Sequence, residues 1–562
     1  MPWRTGRLVD RPEAGPPASL VIGSTAKRAL RGPQPEYVFP LDGAPPRPTL
    51  LFAAGIASDA GLVRFEVALR RPGAEPVVLH RMDVEAGAWV DGRVELAGHD
   101  LDGAELMLRR VAPGAPDLLG RSGWGDPVLL PEHASDPAPA VILISLDTLR
   151  ADALGVHGAA GDPTPAIDAL AAEGVQYLQA YSPSVWTLPS HESLLTGRYP
   201  SGFGDLDEAG RIRRAKHPSA PSAPTLASLL RRAGYLTAAF TGGGWVDSTV
   251  GMSNRRSFAD GFDSYFGYRR PPLSPAPCHP DRLDGEAVFG AARAWLRARG
   301  AAPFLLFVHT YEAHDRCPFG AAHPVGKGNR HRWWDKRRPD GKRQVEALYE
   351  DLVARTDGLV AELLDELARV GRADDTLVVL TSDHGEFFGE HGDDGHGSGK
   401  TPYDELTRVP LLLRFPGRLP ADARVDQPVT VTSVAGTILA LLQQETPLPE
   451  APLPGLGLRP EPPRVVYVDA QDLLAVRDGR WKLITSRTSP GRARLFDVEA
   501  DPGERHDLSR RAVKVRRRLQ GLARAYWTAA GPEVAETAAP EAAGAPPEPE
   551  LQEQLRQLGY VE

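Results

Sequence analysis

Cysteine is nearly missing from this chain. Cys278 and Cys317 are the only two in 562 residues, so no disulfide framework holds the fold together. Free thiols are the default for the pair; a single bridge between them is the alternative, since both flank the same inserted region. Long apolar runs are missing too, and none approaches the ~20 residues that span a bilayer. The opening residues, MPWRTGRLVDRPEAGPP, contain no apolar leader core and no lipid-attachment pattern. As written, the chain reads as soluble and cytoplasmic. Nor is there an excess of positive charge: 65 Lys and Arg face 73 Asp and Glu, a net charge of -8. That balance argues against general nucleic-acid affinity. What remains is a globular composition, 42% hydrophobic and 25% charged, on a chain too long for one core.

Taken in order, the sequence divides into five stretches. Residues 1–130 contain TLLFAAGI, VRFEVALRR, EPVVLHRMDV, AWVDGRVEL and AELMLRRV, short alternating segments punctuated by Gly, Pro and Asp. They predict a small β-sandwich, which packs on its neighbour or binds carbohydrate; packing is the favoured reading, since no exposed aromatic cluster is evident. Residues 131–139 are a linker. Residues 140–428 alternate strand patterns (AVILISLD, LTAAFTG, FLLFVHT, TLVVLTSD, VPLLLRF) with helical ones (APTLASLLRRAG, GEAVFGAARAWLRARG and the stretch from Val345). This predicts a doubly wound, mostly parallel α/β sheet with ligands beyond the C-terminal strand ends. Residues 429–530 read as a small α+β subdomain, and 531–562 as a flexible Pro/Ala/Glu tail with a terminal helix.

Ala140 to Pro200 is the informative stretch. AVILISL is a buried-strand pattern that stops on an acid, Asp147. Forty residues later comes Thr187-Leu188-Pro189-Ser190-His191, followed by ESLLTG, a short helix closed by glycine. Thr187 is expected just before the helix N-terminus, where free N–H groups and the macrodipole favour an anion. Asp147, His309 and Asp383 all fall at predicted C-terminal strand ends. Oxygen and imidazole donors suit a hard or borderline cation, so Asp147, Asp383, His384 and Thr187 are the candidate ligands of one divalent metal. Ca, Mg, Mn and Zn all remain open. Such a cation lowers the pKa of a hydroxyl and neutralises an anionic ester.

SLDTLRAD, TPAIDALAAEGV, WTLPSHESLLTGRYP, FVHTYEAHD, TSDHGEFFGEHG, YDELTRVPLLLRFPG, AVRDGRWKLI and LFDVEADPGERHDLS occur in that order. Together they resemble the sulfatase family, within the alkaline phosphatase superfamily. The resemblance implies that fold, with a small C-terminal subdomain closing the site, and metal-dependent hydrolysis of a sulfate or phosphate ester. It puts Thr187 at the nucleophile position. There the family usually carries a cysteine or serine converted to formylglycine, followed by x-Pro-Ser-Arg. Threonine cannot form formylglycine, and the arginine is His191, which joins Thr187, His309 and His314 as the catalytic candidates. Gly242 stands where a lysine is usual, and Thr148 replaces the second of two paired aspartates. Superfamily relatives that cleave or transfer phosphoryl groups use an unmodified threonine beside one metal, and no second metal set is expected on that reading.

The resemblance further implies that His314 contacts the bound anion, with His309 nearby; either donates to an oxyanion or protonates the leaving oxygen. Lys400 and His396 are the anion-binding candidates, whereas His391 reads as a loop stabiliser. Arg150 and Asp152 read as a helix start with a local ion pair. The basic stretch Lys327–Arg343, with Trp333-Trp334, is either a solvated insertion or a lid that recruits and stacks on an anionic substrate. The expected activity is a sulfatase-like hydrolase acting on a small-molecule or glycan ester. The alternatives are a phosphoryl or phospho-alcohol transferase and a catalytically silent ester-binding protein. The family often works outside the cytoplasm, which pulls against the compartment read from the N-terminus.

Overall fold

Val141–Ile144 contains no polar residue, so water is the one environment it cannot occupy. The computed structural model describes residues 6–15, 18–42, 44–45, 47–131, 138–200, 205–206, 212–213, 224–247, 258–267, 275–276, 279–299, 302–314, 341–397, 399–458 and 465–530. In it, Ala140–Leu146 is buried along its whole length between two parallel neighbours, Phe304–Thr310 and Thr376–Thr381. Leu236–Thr241 and Ser264–Phe266 extend the sheet in parallel on one side. On the other side Leu411–Arg414 joins antiparallel to Thr376–Thr381. The VPLLLRF segment is therefore an antiparallel member of an otherwise parallel centre.

Helices cover the two faces as their apolar spacing predicts. Gly285–Arg299 and Gly341–Arg369 pack through Val288, Phe289, Leu296, Val353, Val360 and Leu363 into one core cluster. Leu226–Arg232 and Val434–Leu441 pack into the cluster on the opposite face. Leu226–Arg232 begins on a capping box formed by Thr225 and Ser228.

The N-terminal β pattern is present, with one difference in how it connects. Glu36–Pro40, Glu105–Val111, Leu62–Arg70 and Val77–Glu85 make one antiparallel sheet. Thr25–Arg31, Ser122–Leu130, Thr49–Ile56 and Trp89–Glu95 make the facing layer. Trp124 lies between them, edge-on to Phe52 and Phe65 at 4.9 and 5.0 Å. This second layer is not a separate sheet. Thr25–Arg31 also pairs antiparallel with Ser264–Phe266, so the central sheet continues into the N-terminal strands. Arg7 to Asp263, and Lys27 to Asp126 and Ser264, fasten the junction through buried polar groups.

After residue 464, Val465–Ala470, Leu473–Asp478, Trp481–Ser486 and Arg494–Asp497 form a four-stranded antiparallel meander. The helix Val513–Ala530 covers it, burying Leu519, Ala523 and Tyr526. The α+β reading of 429–530 does not single out this helix, although its buried residues recur at helical spacing. Cys278, Cys317, most of the linker, the basic stretch up to residue 340 and residues 531–562 lie outside the described residues. Among the described residues, no helix is long and apolar enough to cross a membrane.

Candidate active site

Parallel register places the chemistry at one rim. Ser145 is opposite both His309 and Thr381, so His309, the penultimate residue of its strand, lies at the same rim as Asp147 and Asp383, which follow theirs. The Asp147 N–H donates to the Thr310 carbonyl at 3.1 Å, which sets the direction in which the chain leaves the sheet. Thr148 then adopts φ 58°, a left-handed conformation costing a β-branched residue about 1–3 kcal/mol. Tyr349 Oη donates to the Thr148 carbonyl at 2.9 Å and holds the turn. The Thr148 N–H, 3.3 Å from Asp383 Oδ1, and the His384 N–H, at 3.0 Å, both donate to that oxygen. Asp383 Oδ2 is left facing the site, 3.3 Å from His384 Nε2 and 3.6 Å from His191 Nδ1.

The helix Thr187–Thr196 brings in the hydroxyl. Thr187 is its first residue, not the one before it, and Trp186 occupies the N-cap position. Pro189 sits third without penalty, because an N–H there has no helical acceptor anyway. Gly197 closes the helix at φ 64°, as a left-handed C-terminal residue should. Thr187 Oγ1 lies 3.3 Å from Asp147 Oδ2 and 3.3 Å from His384 Nε2. Ser182 ties this helix to the segment after Thr376–Thr381, bonding to Ser190 Oγ at 3.0 Å and donating to the Asp383 carbonyl.

Ligand atoms of Asp147, Asp383 and His384 all lie within 4.8 Å of one another, and none of these residues is more than 1% exposed. The set fits a divalent cation chemically. His384 Nδ1–H donates to the Gly385 carbonyl at 2.9 Å, which turns the Nε2 lone pair toward the two carboxylates and Thr187. Burial, then the charge of His396, pushes His384 down to about 4, so its ring is neutral at pH 7. Burial, then the Asp147 charge, lifts Asp383 to about 6. Two buried carboxylates this close repel each other until a cation joins them.

His191 carries no charge at neutral pH. Burial, then His309, pushes it down to about 3. As a neutral ring its Nδ1–H donates to the Thr187 carbonyl at 2.9 Å, and Nε2 accepts from Ser145 Oγ at 3.0 Å. His309 Nε2 is 3.4 Å from Asp147 Oδ2. His191, His309 and Asp383 also bring ligand atoms within 4.8 Å of one another, a second set that sequence reading did not foresee.

Outside this centre the structure separates the remaining candidates. His396 lies over His384 with ring centroids 4.4 Å apart and next to His314 at 4.8 Å. Its Nδ1 is 3.0 Å from Glu386 Oε2; Glu386 was missed, its only signal being its place two residues after His384. His314 also meets Tyr311 edge-on at 5.4 Å. Lys400 is directed elsewhere, to Asp393 and the Asp394 carbonyl. His391 stacks on Tyr403 at 3.6 Å, consistent with a loop-stabilising part. Arg150 pairs with Asp152 and Glu390 at 2.7 and 2.9 Å.

A carboxylate–imidazole set beside a helix-start hydroxyl, on the C-terminal rim of a doubly wound sheet, defines a metal-dependent ester hydrolase. More narrowly, the chain belongs to the sulfatase family, hydrolases of sulfuric esters, whose family model matches residues 139–444. It is similar to an ulvan-active sulfatase of Formosa agariphila, 27% identical over 433 residues, covering 68% of this chain and 80% of the relative. It is also similar to a choline-sulfatase of Rhizobium meliloti, 26% identical over 438 residues, covering 66% and 82% respectively. Among solved structures, the phosphonate monoester hydrolase of Agrobacterium radiobacter shares the fold. Its TM-score is 0.54 at 21% identity, covering 70% of this chain and 95% of the other.

Proposed function

We propose that this chain hydrolyses a sulfate ester with unmodified Thr187 as the nucleophile. The observation that carries the reading is Thr187 Oγ1 at 3.3 Å from both Asp147 Oδ2 and His384 Nε2, at the first turn of a helix. Asp147, Asp383 and His384 would hold one divalent cation, with Thr187 as a further oxygen donor. A bound cation supplies Lewis acidity that favours the ionised hydroxyl and neutralises the anionic ester.

The protein groups do the rest. The Thr187 hydroxyl donates to Asp147 Oδ2, leaving its lone pairs to face the sulfur. N–H groups of the first helical turn face the sulfuryl oxygens, where the helix dipole favours negative charge. Thr187 Oγ passes its proton to Asp147 Oδ2 and attacks sulfur, the bond from sulfur to the alcohol oxygen breaks, and His314 or His309, in its protonated form, gives that oxygen its proton. Water then attacks the sulfur of the sulfated threonine and gives a proton back to that histidine; the bond from sulfur to Thr187 Oγ breaks, sulfate leaves, and the proton held by Asp147 returns to the hydroxyl. His396, held by Glu386, faces the same space as an anion donor. The names of the relatives point to glycan or small-alcohol esters as the substrate class.

A phosphate or phosphonate ester is the second reading, favoured by the unmodified threonine itself. Both are tested with matched aryl sulfate, phosphate monoester, phosphodiester and phosphonate substrates on wild type and Thr187→Ala. Activity on the sulfate that disappears in the variant supports the proposal. Activity confined to a phosphorus ester moves the reaction class. Turnover that survives in Thr187→Ala transfers the nucleophile to water, and silence on all four leaves an ester-binding protein.

A further inference from the structure

A cavity of about 690 Å³ opens between the turn after Ala140–Leu146, the segment Asp404–Arg408 and the C-terminal subdomain. That volume is ordinary for a small-molecule site. Among the described residues its lining includes Arg150, His157, Arg408 and Arg477, but none of Asp147, Thr187, Asp383 and His384. It is therefore separate from the catalytic centre.

Arg408 is the group there whose charge the protein does not answer. Its Nη2 donates to the Leu178 carbonyl at 3.0 Å. Its Nε is buried without an acceptor, and Nη1 has none either, among the described residues. No described carboxylate forms an ion pair with it. A guanidinium left with one carbonyl keeps most of its charge and its donors uncompensated. His157 registers that charge: burial, then Arg408, pushes it down to about 4, although Asp152 opposes the shift. The buried His157 Nε2 also has no partner among the described residues.

The other charges along the cavity are matched. Arg150 pairs with Asp152 and Glu390. Arg477 donates to Tyr181 Oη and Gln179 Oε1. Asp404 is held by Lys482, Glu405 lies 3.3 Å from His391, and Asp426 accepts from Gln179 at 2.7 Å. The side chains of Asp152 and Glu499 are each 59% exposed, so water screens them.

We infer that this cavity binds an oxyanion, a carboxylate, sulfate or phosphate, through Arg408 with His157 beside it. A bare ion leaves most of the volume to water, whereas an acid the size of a sugar fills more of it. Both sources share the chemistry that Arg408 reads, a planar fork of donors meeting anionic oxygens. The inference stands whatever reaction Thr187 performs.

The test is calorimetric titration of the full chain at low salt and neutral pH with glucuronate, inorganic sulfate and uncharged glucose. An anion is expected to bind wild type, and to bind Arg408→Gln about tenfold more weakly, with glucose silent. Glu499→Gln removes an exposed like charge at the rim and should tighten the same step about two- to fivefold. Preference for glucuronate identifies a sugar-borne acid as the source, and equal affinity for sulfate identifies the free ion. Anion binding that is absent, or unchanged in Arg408→Gln, overturns the inference, as does glucose binding as well as glucuronate. If Arg408→Gln does not fold, Glu499→Gln decides, and unchanged anion affinity in it is equally fatal.

Discussion

Asp383 dictates how metal affinity should vary with pH. In the metal-free protein its carboxyl is raised to about 6 by burial and the neighbouring Asp147 charge, whereas His384 is lowered to about 4. A cation binds only the ionised carboxylate and the neutral imidazole. Because the Asp383 value is raised, affinity is full above pH 6 and lost as pH falls through it. One competing proton with pKa about 6 weakens binding about tenfold at pH 5 and about thirtyfold at pH 4.5, relative to pH 8. An unshifted aspartate would cost almost nothing at pH 5. A His384 at its ordinary value would add about another thirtyfold there. Titrating Mn2+ or Zn2+ calorimetrically into the stripped protein between pH 4.5 and 8 reads the curve, including the number of protons released. Flat affinity from pH 5 to 8 refutes the argument, and so does release of two protons near pH 6.5.

Other consequences are accessible to single variants. Lys482 is buried with Asp404 and Glu504, its Nζ reaching Glu504 Oε1 at 3.0 Å. Lys482→Met takes the ammonium from both buried carboxyl groups, leaving Asp404 with Arg477 at 3.8 Å and Glu504 without that partner, and should cost about 3–5 kcal/mol in urea unfolding; adding Glu504→Gln should restore part of it, and no loss in the single variant would refute the pairing. A Cβ on Gly385 would lie 2.0 Å from the Glu405 carbonyl oxygen. Gly385→Ala should therefore shift His384 and abolish turnover, with kcat falling more than stability. Trp124→Ala empties the N-terminal core and should cost about 3–5 kcal/mol by thermal denaturation, leaving metal content unchanged. Ser182→Ala loosens the tie between the Thr187 helix and Asp383, so kcat should fall roughly tenfold with KM little changed. An equal rise in KM would instead indicate damage to substrate binding.

Much of this protein is local in character and therefore legible. Apolar runs such as Val141–Ile144 and Leu377–Leu380 are buried wherever they fold, and an acid immediately after a buried parallel strand must lie at its rim. For that reason Asp147 and Asp383 could be placed from sequence, as could the helix closed by Gly197. Five strands before residue 131 were equally readable, because alternation reports which side of each strand faces a core, whereas Ser19–Ile22, Thr25–Arg31, Glu36–Pro40 and Ser122–Leu130 were not read. The helix Val513–Ala530 was not located within the α+β stretch for the converse reason: its apolar residues are sparse among many arginines, and packing on the Trp481–Ser486 region selects that face.

Contacts between segments distant in sequence were decided by the tertiary structure alone. Nothing local shows that Thr25–Arg31 pairs with Ser264–Phe266, since an edge strand accepts any partner of matching register. Nothing local turns Lys400 toward Asp393, or sets Glu386 under His396. Above all, His191 and His309 are 118 positions apart, and although both are readable as candidates, nothing local shows that they meet. Parallel register and the entry angle of the Thr187 helix bring both to Asp383, because ligand geometry depends on ångström distances that only the assembled sheet defines.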